Sequence, residues 1–308
     1  MNDESIFAQL GSLIKVRHVQ QKLGPRFPED MPLEEAKDIL QEWMETHASL
    51  VDVVFLVVED GQPVGCHDFS MGADIECELE ESPESVVGDI MIPLTLSSIV
   101  SADLPLLEAI ELLLAPEPTK THKMYAGHLS RVRERQSLLV LDGKELTGVI
   151  TYGDAFTLPG VMCLFALMVE LEAASLRLCQ AFSEQCWAAL PERRQKMAWE
   201  VFRKRFPPER EESKQQRPEG VDEGLLQSLI ECTMFIDKAT MIGKCKLLID
   251  VGRSKLNSIF NRAQEVRNAC AHPAENKRLE SILPRPKFSR FLKDCRQLID
   301  SIRLVTPR

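Results

Sequence analysis

No apolar stretch in this sequence reaches the roughly 20 residues that a membrane-spanning helix needs, so no membrane association is expected. The opening residues Met1-Asn2-Asp3-Glu4-Ser5 are acidic and lack the basic start of a secretory signal. The nine cysteines (66, 77, 163, 179, 186, 232, 245, 270 and 295) are odd in number, scattered, and never spaced as C-x-x-C. That argues against a disulfide framework or a zinc site and for a reducing, cytoplasmic setting. His18, His47, His67, His122 and His128 form no metal-ligand spacing either. No strand-like run follows residue 151.

What is present is a chain of 308 residues, long enough for about two domains, with ordinary globular proportions of 44% hydrophobic and 27% charged residues. The net charge of −10 conceals a division. Residues 1–190 hold 12 Lys+Arg against 31 Asp+Glu, and residues 191–308 hold 25 against 16. The second half can therefore face a polyanion and the first cannot, although a solvated basic surface with no partner accounts for the charge equally well.

The first half shows a weak duplication. An amphipathic helical pattern at 32–40 leads into the β-branched run Val51–Val58, the turn Glu59-Asp60-Gly61-Gln62 and a short strand at 63–66, which together read as a hairpin. The same order returns as a helix over 104–114, a strand over 137–141, the turn Asp142-Gly143-Lys144 and a strand over 145–151. Residues 115–135, with Pro116 and Pro118, read as a polar insertion. From Pro159 the pattern turns helical: one run over 161–187, a basic one over 191–206, and further helices at about 222–238, 255–271 and 287–304. Residues 207–220 read as a loop or hinge. The boundary is expected near residue 158, between modules 1–158 and 159–308.

In Gly148-Val149-Ile150-Thr151-Tyr152-Gly153-Asp154 a small residue ends a strand, a hydroxyl follows, and a carboxylate stands three residues on at a helix start. A hydroxyl at a helix N-terminus suits a phosphate, and the carboxylate suits a ribose diol. The simpler reading has Thr151 capping a helix and Asp154 complementing its dipole. With Val87-Gly88-Asp89-Ile90-Met91, this segment resembles a CBS-domain pair (a Bateman module) over about residues 15–158. The resemblance implies an α+β module and an adenosine nucleotide as regulatory ligand, contacted by Thr151 and Asp154. The first copy reads Cys66-His67-Asp68-Phe69-Ser70 and lacks the matching hydroxyl and acid.

The segment Glu265-Val266-Arg267-Asn268-Ala269-Cys270-Ala271-His272-Pro273 carries a second chemistry. Pro273 disfavours helical geometry at His272, so a helix should stop near Ala271 and leave the imidazole at its end. Arginine grips phosphate through its planar fork, and histidine moves protons near neutral pH. An Arg paired with a carboxylate and a His capping carbonyls is the structural alternative. Cys270 reads as a small buried residue. The segment resembles the R-x(4–6)-H signature of HEPN domains, over about residues 160–308, with an acid (Glu170) in the first long helix and the approach Met234-Phe235-Ile236-Asp237-Lys238. This implies an all-α HEPN bundle that dimerises and a metal-independent endoribonuclease centre. Arg267 would stabilise the phosphate, His272 serve as acid and base, Asn268 position the substrate or the histidine, and Glu170 orient Arg267, with a solvent-facing or ion-paired acid as the plainer account of Glu170. The basic residues Arg193, Arg194, Lys196, Arg203, Lys204 and Arg205 are candidates for holding RNA backbone, with an exposed charged face as the plainer account.

The expectation is an α+β CBS-pair module followed by an all-α HEPN helical bundle, forming a nucleotide-regulated homodimeric ribonuclease of a stress or defence type, toxin-like, with a possible neutralising partner protein. The second reading is a non-catalytic, nucleotide-responsive scaffold that binds RNA or a protein.

Overall fold

In the computed structural model of the chain, residues 12–46, 52–70, 85–114, 137–206, 222–272 and 276–307 are described. The insertion at 115–135, the hinge at 207–220, Pro273, Cys77, His47, His122 and His128 lie outside the described residues. The chain divides into two units, one of residues 11–163 and one that includes residues 164–308.

In the first unit, β1 (Arg26–Pro28) is followed by α1 (Leu33–Thr46), β2 (Asp52–Glu59) and β3 (Gln62–Ser70). Then come α2 (Val87–Ile90), β4 (Ile92–Pro93), β5 (Ile99–Ser101), α3 (Leu106–Leu114), β6 (Ser137–Asp142) and β7 (Glu145–Thr151). The two hairpins turn tightly: Asp60 and Gly61 take φ of 50° and 75°, and Gly143 takes φ of 63°, the left-handed region such turns demand. Each hairpin gains a short parallel partner, β1 beside β2 and β5 beside β6, and β4 adds antiparallel to β3. The sheets run β1-β2-β3-β4 and β5-β6-β7.

Because successive side chains of a strand point to opposite faces, the unbroken apolar run of β2 serves two cores. Val54 and Leu56 pack with Cys66, Leu139 and Val149, which joins the two sheets. Phe55 and Val57 pack with Phe27, Leu33, Leu40 and Val87, under α1. A segment ahead of β1 ties the second hairpin in: Gln21 N–H donates to Val149 O at 2.9 Å, and Val149 N–H donates to Gln21 O at 3.0 Å. Gly148 permits that approach, since a Cβ there would lie 2.7 Å from Gln21 O.

The remaining elements are helices. They are α4 (Leu158–Ala181), α5 (Ser183–Ala189), α6 (Glu192–Arg205), α7 (Glu223–Glu231), α8 (Phe235–Lys244), α9 (Arg253–Ala271), α10 (Asn276–Ile282) and α11 (Arg285–Val305). Two expected helices are each broken in two. The run 161–187 is interrupted at Phe182, whose φ −122° and ψ 43° are not helical. The run 222–238 is interrupted at 232–234, before Met234 at φ −73° and ψ 159°.

The expected fold class, an α+β CBS-pair module followed by an all-α HEPN bundle, is corrected by this arrangement. The chain is a mixed α/β fold, largely helical, with two small sheets near its N-terminus. Both sheets contain parallel pairs, made by three-residue strands too short to leave a periodic trace in sequence. The two units part at residue 163, inside α4 (Leu158–Ala181), and only helices follow Leu158 among the described residues.

The two hairpin glycines separate two physical effects. Gly148→Ala drives a methyl into the Gln21 carbonyl and should cost about 1–3 kcal/mol. Gly143→Ala meets open space and should cost about 1 kcal/mol through its positive φ alone. Urea denaturation of both variants measures the difference. Equal losses would show that the Gln21 segment does not press on Gly148 in solution.

Candidate functional site

Helix α9 owes its place to apolar residues at three- and four-residue spacing: Leu256, Ile259, Phe260, Ala263 and Val266 are buried. Phe260 meets Phe235 of α8 with ring centroids 4.8 Å apart. The helix ends at Ala271. His272 is its C-cap, at φ −122° and ψ 76°, and donates its backbone N–H to Ala269 O at 3.2 Å. The side chain of His272 is exposed, as is Asn268, while Arg267 is 38% exposed. Five residues of helix would set Arg267 and His272 about 7.5 Å apart along the axis. Since His272 has left helical geometry, its ring is not bound to the face that the helix would dictate.

The carboxylate partnering Arg267 is Glu172 of α4, with Nη2 and Oε2 3.4 Å apart. Glu170 pairs with Arg303 of α11 at 2.5 Å, the ion-paired alternative, and not with Arg267. Two residues along a helix turn a side chain by roughly 200°, so Glu170 and Glu172 cannot serve the same neighbour. Glu170 is thereby reassigned to tying α4 to α11.

Helix α8 carries a buried cation that the sequence did not mark as one. Lys238 is 1% exposed, and its Nζ donates to Thr233 O at 3.0 Å and to Thr233 Oγ1 at 3.3 Å. Burial pushes its pKa down. Glu172 opposes that shift first among the charged neighbours, with Cys179 and Asp237 also opposing and Arg267 adding to it. Asp237, beside it, accepts from Arg194 Nε of α6 at 2.7 Å and from the backbone N–H of Met234 at 3.0 Å. Arg194, grouped above with possible RNA contacts, is thus an internal ligand. Arg193, Lys196, Arg203, Lys204 and Arg205 remain exposed along α6. The signal that could have found Lys238 was the Asp-Lys pair inside an apolar helical stretch, where a charge is tolerated only with a partner.

In the first unit, Thr151 and Asp154 come together, each 1% exposed. Asp154 Oδ2 accepts the Thr151 N–H at 2.7 Å, which caps the short helical turn Tyr152–Phe156. Gln21 Nε2 donates to Asp154 Oδ1 and Oδ2 at 3.2 and 3.3 Å and to Thr151 Oγ1 at 3.4 Å. The pair, closed beneath Gln21, does not fit a ribose or a phosphate as it stands. Among the described residues no group of three His, Cys, Asp or Glu side chains could hold a metal ion.

Cys270, inside the Arg–His segment, is buried, and desolvation raises its thiol from 9.0 to about 12. The folded pKa lies above the unfolded one, so the stabilisation is complete below about pH 9 and is lost as pH rises toward about 12. Between those limits wild type should lose up to about 1 kcal/mol per pH unit more than Cys270→Ala. Denaturant midpoints of both proteins at neutral and alkaline pH measure this. Parallel losses would mean that solvent reaches the thiol.

Comparison with protein-family models finds none that matches this chain, and comparison with curated proteins finds no match.

Proposed function

We propose that the helical unit is a metal-independent endoribonuclease centre in which Arg267 binds the scissile phosphate and His272 transfers protons. The observation that carries this reading is a half-exposed guanidinium, anchored at its rear by Glu172, one helix end away from an exposed imidazole. In the reaction an RNA 2′-hydroxyl loses its proton, its oxygen bonds to the adjacent phosphorus, and the 5′-oxygen leaves with a proton. The products are a 2′,3′-cyclic phosphate and a 5′-hydroxyl. One imidazole cannot take a proton and give one in the same step, so the second is supplied by another copy of this chain in a homodimer. The exposed cations of α6 add sequence-independent attraction for the RNA backbone.

Incubated with single-stranded RNA in excess EDTA, the protein should release fragments ending in 2′,3′-cyclic phosphate. His272→Ala and Arg267→Ala should each slow release at least about a hundredfold. Equal cleavage by His272→Ala would sink the assignment. Binding without cleavage would favour the scaffold reading, in which the same cations hold RNA uncut.

The first unit enters this proposal as a regulatory module, and an adenosine nucleotide can reach Thr151 and Asp154 only where Gln21 withdraws. Gln21→Ala should therefore bind AMP, ADP or ATP about tenfold more tightly than wild type, the worth of one hydrogen bond to a charged group. Thr151→Ala should bind more weakly. Calorimetric titration giving no heat with any of the three nucleotides, in wild type and Gln21→Ala alike, would remove the nucleotide from the scheme.

A further inference from the structure

We infer that the cavity between α8 and α9 is a binding site for a small organic anion, a phosphate monoester with an apolar body, whose charge is met by Lys246 and Arg253. The site stands apart from the Arg267 and His272 pair. The rise of an α-helix puts Arg267 about 21 Å along the axis from Arg253, which opens α9.

A cavity of about 470 Å3 lies where α8 ends and α9 begins. That volume falls within the roughly 300–1,000 Å3 of small-ligand sites. Lys244, Lys246 and Arg253 line it together with Leu248, Ile249 and Val251, and among the described residues no acid does. Asp250, in the same turn, is not part of the lining. Lys244 is engaged, its Nζ donating to Ala189 O at 2.7 Å. Lys246 and Arg253 are exposed and have no hydrogen-bond or ion-pair partner among the described residues. Ile249 is 92% exposed, so an apolar wall stands open to solvent in the same hollow.

Two positions carry residues that serve the cavity better than they serve the backbone. Helix α8 closes with Leu247 N–H donating to Ile242 O at 3.2 Å, an ending that passes through one left-handed residue, usually glycine. Here that residue is Lys246, at φ 53°. The chain accepts backbone strain at the place that sets a cation in the hollow. Gly252 is the converse case. Its φ of −59° and ψ of 140° suit any residue, and a Cβ there would meet nothing within 4 Å. Neither conformation nor packing calls for glycine, and the missing side chain leaves the lining open at that point. Gly243, also in the lining, lets the stem of Arg253 lie against α8, since a Cβ would stand 3.1 Å from Arg253 Cγ.

The ligand class follows from the lining. A phosphate monoester carries about two negative charges at neutral pH, one for each unpaired cation. The planar fork of Arg253 suits two of its oxygens, and the Lys246 ammonium suits a third. The esterified group is left to Leu248, Ile249 and Val251, where burial of apolar surface adds to the affinity.

Isothermal titration of the full chain in phosphate-free buffer tests this with phenyl phosphate, and with inorganic phosphate and phenol as its two halves. Phenyl phosphate should bind at least about tenfold more tightly than either half. Lys246→Gly and Arg253→Gln should each weaken it about tenfold, the worth of one hydrogen bond to a charged group. Gly252→Leu should weaken it as much by filling the opening. Because Lys246→Gly relieves the left-handed strain, its Tm should rise while its affinity falls, which separates loss of the site from loss of the fold. Arg267→Ala should leave the affinity unchanged. The proposal is overturned by no heat from phenyl phosphate, or by unchanged affinity in any one of the three cavity variants. Inorganic phosphate or phenol binding as tightly as phenyl phosphate also overturns it. A tenfold loss in Arg267→Ala would place the probe at the far end of α9 and overturn the assignment to this cavity.

Discussion

A single carboxylate on a long apolar helix ties two helices of the helical unit together. Glu172 of α4 sets one oxygen 3.4 Å from the guanidinium of Arg267 on α9, a side chain that is 38% exposed. Remove that charge and Arg267 loses its tie to α4. Keep it, and two helices distant in sequence are held at one point. The neighbouring pair of Asp237 with Arg194 makes the same kind of tie between α8 and α6. Both ties leave the exposed end of α9 free to carry its Arg and His.

How much of this was legible in sequence follows from which signals are local. The hairpin turns were, because Asp60-Gly61 and Gly143 are residues that positive φ demands. The end of α9 was, because a proline restrains the residue before it. The parallel strands β1 and β5 were not: three residues each, they exist through partners about thirty to forty residues away. The break at Phe182 has no glycine or proline to mark it. The choice between Glu170 and Glu172 was closed to sequence for another reason. Helix α4 is apolar around much of its girth, so no stripe fixes its rotation, and only the folded arrangement tells which acid meets Arg267.

The first unit shows how duplicated elements part company. Gly65 and Gly148 hold equivalent places in the second strands of their hairpins, and each is pressed by a neighbour that would collide with a Cβ. At Gly65 that neighbour is the Met91 side chain. At Gly148 it is the backbone and side chain of Gln20 and Gln21. The first crevice is therefore filled by a thioether, which offers a ligand nothing polar, whereas the second is filled by an amide that can be exchanged for other hydrogen-bonding groups. The difference agrees with the motif residues, since only the second copy carries the hydroxyl and acid, Thr151 and Asp154.

The same principle separates the two candidate sites. At Thr151 and Asp154 each polar group is satisfied from within, by the local backbone and by Gln21, so an outside ligand must compete with bonds already made. Around Arg267 the arrangement differs: Glu172 meets the guanidinium at 3.4 Å, and that side chain is 38% exposed beside an exposed His272. Of the two candidate sites, the end of α9 is consequently the more open to solvent.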